Sequence, residues 1–463
     1  MMPLRRHTRV LVTVMAACAA VGSSASGLQL GLYLDRKPSA DEVKANFSAA
    51  KHEPLYGCYL GAFIDLDSTL KETYKDTIGR FRRLPEEFER VTGTTHSTYF
   101  FYLGYGRPLP KDWVSMLALQ GKIVHIALEP TRGIQYVLDD EYLDQLSRDM
   151  RDTGAQIFLR FGSEMNGAWV EYGKDPKVFK EKFRLVAQKV RKVAPNVAMV
   201  WCPYATPTNP IGSYYPGDDY VDWVGVNMYS VTFFDQDPKK PARQIHPTEM
   251  LDYVYNKYSA RKPIMIGEYG TTHFSALERK SVPQFAQRNL HALYAALPRK
   301  YPRVKCISYF NGNNLELEHR MNNNYAVTQE QSVLKTYRQV TEPEYYLKNL
   351  PASADASLLA RIARATPLTD PMASVPLSPM PLRDKQVVQG KLDLSAWCKT
   401  TDATLTMKFR IDGKLLYEGH GKENWYVTIG TTRLTEGWKT FSVEAWKGNT
   451  KLATASAEVL VVH

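Results

Sequence analysis

The chain has 463 residues, 44% of them hydrophobic and 23% charged, enough for two or three domains with sizeable cores, and this balance excludes a disordered chain. The formal net charge is +11, but no block of Lys or Arg is long enough for a nucleic-acid tract, so no nucleic-acid partner is expected. A basic surface is compatible with association with an acidic cell envelope.

Residues 1–25 read as an export signal. Arg5, Arg6 and Arg9 form a positive start, Val10 to Gly22 is an apolar run too short for a mature membrane span, and Ser23-Ser24-Ala25 offers small residues for cleavage. Secretion or a periplasmic location follows. Met15-Ala16-Ala17-Cys18 resembles a lipobox, which gives lipid anchoring through Cys18 as the alternative.

Eight apolar runs follow: Tyr59–Ile64, Thr98–Leu103, Ile123–Leu128, Gln156–Phe161, Val197–Trp201, Trp223–Met228, Pro263–Gly267 and Cys306–Phe310. They are continuous rather than alternating, as expected of parallel strands buried on both faces. Helical patterns separate them. The clearest starts at Asp175-Pro176, a cap followed by Pro at the first helical position, and carries Phe179, Phe183, Val186, Val190 and Val193 on one stripe. Another spans Asp140 to Arg151 and stops at Gly154. Eight such units over residues 26–342 predict an α/β fold of the (β/α)₈ TIM-barrel type, typically about 250 residues. A doubly wound sheet is disfavoured, because no Gly-rich dinucleotide turn follows the first strand.

Residues 343–384 are rich in Pro and read as a linker interrupted by a helical stretch, Ser357–Ala365. From 385 to 463 the pattern is all-β. Leu405–Ile411 alternates, and Asp412-Gly413 signals a tight hairpin before Leu415–Tyr417. A small β-sandwich is predicted, and Ile411-Asp412-Gly413-Lys414 followed by Gly437-Trp438-Lys439 resembles bacterial immunoglobulin-like domains. Because the linker separates it from the barrel, this unit is expected to be dispensable for catalysis, as a spacer rather than a binder.

In such barrels chemistry sits where strands end. The fourth run continues as Arg160-Phe161-Gly162-Ser163-Glu164-Met165-Asn166-Gly167, and the seventh as Ile266-Gly267-Glu268-Tyr269-Gly270. Two carboxylates facing each other across a barrel mouth can flank a glycosidic bond, one attacking the anomeric carbon and one protonating the leaving oxygen. The segment Arg160 to Gly167 resembles the acid/base motif of glycoside hydrolase family 26, best known for β-mannanases. Glu129-Pro130, Trp201-Cys202-Pro203 and Tyr215 to Gly225 resemble other parts of that family. The resemblance covers roughly residues 55–340.

It implies Glu164 as acid/base and Glu268 as nucleophile. Tyr229 would hydrogen-bond the nucleophile, Trp169 and Trp201 would line sugar sites, and Asn311 would close the eighth strand. Arg160, Asn166 and Glu129 complete the candidate substrate-binding set. The expected partner is a polysaccharide, with β-1,4-mannan first by family frequency. No metal or organic cofactor is required by this chemistry. One departure stands out: the family usually has His before the acid/base, and this chain has Ser163. A barrel that binds carbohydrate without efficient turnover is therefore the rival reading. Gly162-Ser163 lacks the flanking glycines of a nucleophile elbow, which argues against a serine hydrolase. Cys58 and Cys306 begin strands one and eight, neighbours in a closed barrel, so a disulfide between them is a further expectation.

Overall fold

The structure, a computed structural model, describes residues 21–22, 28–318, 322–350, 372, 375–421 and 425–463. Apart from Val21–Gly22, which pair with Leu30 and Gly31, the expected export signal over residues 1–25, with Cys18, lies outside the described residues, as does the expected helical stretch Ser357–Ala365.

The first long strand, β1 (Leu30–Arg36), stands apart from the eight that follow. Those are β2 (Cys58–Phe63), β3 (Thr98–Gly104), β4 (Ile123–Glu129), β5 (Ile157–Phe161), β6 (Val197–Trp201), β7 (Trp223–Ser230), β8 (Ile264–Thr271) and β9 (Val304–Phe310). Each pairs in parallel with the next, and β9 pairs with β2, closing a barrel from the eight expected runs. Seven consecutive residues of β4 are buried, the signature of a strand covered on both sides. The helix Pro176–Val193 forms as its pattern dictates: Asp175 Oδ1 accepts from the amides of Lys177 and Val178, and Phe179, Phe183, Val186 and Val190 are buried against the barrel.

Register decides the cysteines. Cys306 pairs with Tyr59, so Cys58 is one residue out of step with it. Adjacent strand residues point to opposite faces. Cys58 packs outward with Tyr56 and Leu60, while Cys306 packs inward with Tyr59, Phe158 and Trp223. The expected disulfide is absent, and both thiols are free and buried.

The remaining strands are β10 (Ser378–Pro381), β11 (Val387–Gln389), β12 (Lys391–Cys398), β13 (Thr406–Ile411), β14 (Lys414–His420), β15 (Tyr426–Gly430), β16 (Gly437–Lys447) and β17 (Thr450–Val462). They form two sheets around a second core that includes Phe409, Phe441 and Val459. The hairpin between β13 and β14 turns at Asp412 and Gly413, both with positive φ, as the dipeptide predicts.

The boundaries differ from the expectation. β1 had been grouped with the barrel, yet it pairs with β12 on one side and β10 on the other. Leu30, Leu32 and Leu34 belong to the second core. Nothing in the local sequence says which sheet will take this strand. The Pro-rich segment is likewise pinned at both ends: Tyr346–Leu347 lie beside β2, and β10 lies beside β1. The β unit also touches the barrel. Trp397 of β12 packs into the barrel's core cluster, Arg299 Nη2 donates to Ser395 Oγ at 3.0 Å, and Lys399 pairs with Asp252 at 2.9 Å.

Candidate active site

Inward-pointing residues of β5, β7 and β8 meet beneath the C-terminal ends of the strands. Arg160 on β5, wholly buried, sends Nη2 to Glu268 Oε1 at 2.5 Å and Nη1 to Asn227 Oδ1 at 3.0 Å. A guanidinium can only donate, so Asn227 must turn its carbonyl toward Arg160 and its amide away. That amide, Nδ2, donates to Glu164 Oε1 at 2.8 Å. One buried chain of hydrogen bonds thus joins the two carboxylates. Gly267 makes the close packing possible: a Cβ there would sit 2.7 Å from Asn227 Oδ1 and 3.0 Å from Arg160 Nη1.

Three donors converge on Glu268. Arg160 and the Tyr102 hydroxyl, at 2.5 Å, share Oε1, and the Tyr229 hydroxyl donates to Oε2. The contact with Arg160 is charge-assisted, the stronger kind of hydrogen bond. Burial and then the charge of Glu268 push the Tyr102 and Tyr229 phenols well above their ordinary range, which keeps both as donors.

Glu164 is set in a different environment. Its backbone is left-handed, φ 59, and follows Gly162 at φ 57. For a residue with a side chain this conformation costs on the order of 1 kcal/mol, and surrounding bonds must hold it. The Glu164 amide donates to Cys202 O at 2.9 Å and the Gly167 amide to Glu164 O at 2.8 Å. Below the turn, Ser163 N and Oγ donate to Glu129 Oε2 and Oε1 at 3.1 and 2.5 Å. The Tyr172 hydroxyl lies 2.7 Å from Glu129 Oε2 and 2.6 Å from Ser163 O. Burial, and secondarily Glu268, raise the Glu164 carboxyl to about 7. A group that titrates near neutrality, beside a second carboxyl paired with a buried guanidinium, is an arrangement that suits acid/base work.

The other expected site residues divide. Trp169 is at the mouth, 53% exposed, with Nε1 donating to Glu164 Oε2 at 2.7 Å. Tyr229 faces the same opening beside Tyr204 and Tyr325. Glu129 holds the Ser163 turn from beneath rather than facing the opening. Asn166 braces the following loop: its Nδ2 donates to the carbonyls of Tyr204 and Pro207, and its Oδ1 accepts from Tyr204 N. Trp201 is a correction. It is fully buried and packs outward on Tyr215 and Tyr258, because its position on β6 has the parity of the helix-facing side. Asn311 is a second correction, sealed off and donating to Asp67 Oδ2 at 2.6 Å while accepting from Val327 N. His125 is a buried core residue whose ring lies tilted against that of Phe100, 5.2 Å between centroids, and neither of its ring nitrogens has a protein hydrogen-bond partner.

Asn227 and Tyr102 were not among the expected residues. Their signal was available: each occupies an inward position two or three residues before its strand ends, and Asn227 has the parity of Tyr229 on the same strand. Among the described residues no group of three or more His, Cys, Asp or Glu is placed to hold a metal ion.

Over 107 residues the chain is 34% identical to a protein named β-1,3-xylanase TXYA from a Vibrio species, a match covering 21% of this chain and 22% of that one. Over 137 residues it is 28% identical to a β-1,3-xylanase from an Alcaligenes species, covering 27% of this chain and 28% of that one. The chain thus spans about a quarter of the length of these curated relatives. A family 26 β-mannanase structure from Bacteroides ovatus aligns with 64% of this chain and 91% of its own, at 15% identity and a TM-score of 0.46. The family model that fits these residues is glycosyl hydrolase family 26, which matches residues 96–275 and so takes in Glu129, Arg160, Glu164, Asn227 and Glu268.

Proposed function

We propose that the chain is an exported glycosidase that cleaves a β-linked polysaccharide with retention of configuration, through a covalent glycosyl-enzyme. The observation that carries this reading is the pair of glutamates on opposite sides of the mouth, joined through Arg160 and Asn227 yet held in opposite protonation environments. Glu268, ionised and gripped by Arg160, Tyr102 and Tyr229, attacks the anomeric carbon. Glu164 gives its proton to the leaving oxygen and then, as a base, takes one from the water that releases the sugar. Electron pairs balance at each step: the C–O bond breaks toward the protonated leaving group as the Glu268 ester forms, and water reverses that ester.

β-1,4-Mannan is the first substrate expected from the family resemblance. The two curated relatives favour a second, β-1,3-xylan, since both carry that activity in their names. Purified full-length protein incubated with β-1,4-mannan, β-1,3-xylan, β-glucan and β-1,4-xylan, with the fresh product's anomer read by proton NMR, tests the proposal. New reducing ends with initial β-anomer support it. Inverted product would refute the double displacement, and binding without new reducing ends would favour the rival carbohydrate-binding role.

A further inference from the structure

The two oxygens of Glu164 are held very differently. Oε1 is bound by Asn227, whose side chain is fully buried, so that oxygen points into the protein. Oε2 faces the mouth, where a leaving group would stand, and it is capped by the indole N–H of Trp169 at 2.7 Å. The ring that caps it is lightly anchored. It is half exposed, meets Tyr204 edge-on at 5.0 Å, and folds back over the backbone at Gly167. A Cβ at Gly167 would come within 2.4 Å of that ring, so only glycine admits the capped position. A hydrogen bond donated to a carboxyl oxygen favours the charged form. The cap therefore opposes protonation at the oxygen that must deliver the proton.

Resting on Glu164 as proton donor, we propose that Trp169 is a latch: it covers Glu164 Oε2 in the empty site, and a sugar entering on the leaving-group side lifts the indole away and frees that oxygen to carry the proton. Trp169 is then a positioning residue acting through Glu164, and proton donation is armed by substrate rather than standing ready in water. The groups facing Glu164 are Glu268 from β8, Arg160 from β5, Tyr102 from β3, Tyr229 from β7, and Tyr172, Tyr204 and Cys202 from the loops. Burial first, with the neighbouring carboxylates, raises each of these phenols and the thiol, so they stay neutral through the range in which Glu164 titrates. Glu268 and Arg160 remain the charged neighbours and are untouched by a change at Trp169.

Two variants remove the cap by different routes. Trp169→Phe keeps an aromatic ring and deletes the N–H. Gly167→Ala keeps the indole and denies it the capped position. In free protein labelled with ¹³C at the glutamate carboxyls, with the Glu164 signal assigned by its loss in Glu164→Gln, both variants should raise the Glu164 midpoint by about one pH unit. In kinetics on a hydrolysed polysaccharide, the alkaline limb of kcat/KM, which reports the free enzyme, should move up by the same amount, while that of kcat stays in place. An unmoved carboxyl midpoint in Trp169→Phe overturns the latch. So does an equal movement of both kinetic limbs, which would mean that the cap persists with substrate bound. The carboxyl titration needs no turnover, so a wild-type protein inactive on every polysaccharide would refute the proton-donor reading separately.

Discussion

Arg160 and Glu268 form an ion pair, Nη2 to Oε1 at 2.5 Å, with the guanidinium fully sealed from solvent and the carboxylate nearly so. Each charge alone would cost several kcal/mol to bury, so each depends on the other. Glu268→Ala should therefore do two things. Turnover is lost, and azide restores it on an activated substrate, giving a product of opposite anomeric configuration. Stability to urea falls by about 3–5 kcal/mol, because Arg160 is stranded. Wild-type-like turnover in this variant would remove Glu268 from the mechanism.

The proton on Glu164 links activity to stability. Its carboxyl, ordinarily near 4.5, is raised to about 7 by burial and by Glu268. Proton donation is available below about pH 7, so kcat/KM should fall as pH rises through it. Stability moves the same way. The folded chain holds this proton more tightly than the unfolded chain, so the contribution is complete below about pH 4.5 and is lost as pH climbs to about 7. The amount is on the order of 3 kcal/mol. Glu164→Gln, neutral at every pH, should lose turnover of unactivated substrates while raising Tm at pH 8 and leaving it nearly unchanged at pH 4. An equal gain at both values would contradict the assignment.

Ser163 stands where the resembled family usually has His, and its hydroxyl is spent on Glu129 beneath the turn. Ser163→Ala should lower kcat roughly ten- to hundredfold with little change in KM, since a hydrogen bond to a charged group is worth about 1.5–3 kcal/mol and here it holds the left-handed turn. A rise in KM alone would instead put Ser163 in contact with sugar.

The β unit was expected to be separable by cutting near residue 384. The pairing of β1 with β12 predicts otherwise. Removing residues 385–463 uncovers Leu30, Leu32 and Leu34 and leaves Trp397's place in the barrel core cluster empty. Such a truncation should express largely insoluble or melt well below the full chain. A soluble truncation with unchanged Tm and unchanged turnover of a soluble oligosaccharide would restore the original expectation.

The barrel was legible because eight continuous apolar runs recur with helical patterns between them and no Gly-rich dinucleotide turn follows the first, and Glu164 and Glu268 because each is an acid that closely follows such a run and its glycine; Glu268 proves to lie within β8 itself. What sequence concealed was parity and partnership. Trp201 closes its strand on the helix-facing side, while Asn227, two positions before Tyr229 on β7, points inward like it. Asn311 looks like a mouth residue until Asp67, far away in sequence, claims its amide. β1 is not among the eight apolar runs, and its partner β12 lies beyond the whole barrel. The partners of Asn311 and of β1 depend on contacts that no local pattern encodes, whereas the facing of Trp201 and Asn227 follows once the strands' parity is fixed.

That last pairing imposes an order on the making of the protein. β1 is synthesised before the barrel, yet the strand that flanks it, β12, comes after the whole barrel. Chains grow at about 5–20 residues per second, so β1 waits tens of seconds with an apolar face and unpaired backbone groups, while the barrel between can already close. β1 and β12 are joined last, as a clasp. A chain that stalls or is clipped before β12, even with every site residue in place, carries β1 with an open edge, the feature that aggregation and quality-control proteases act upon.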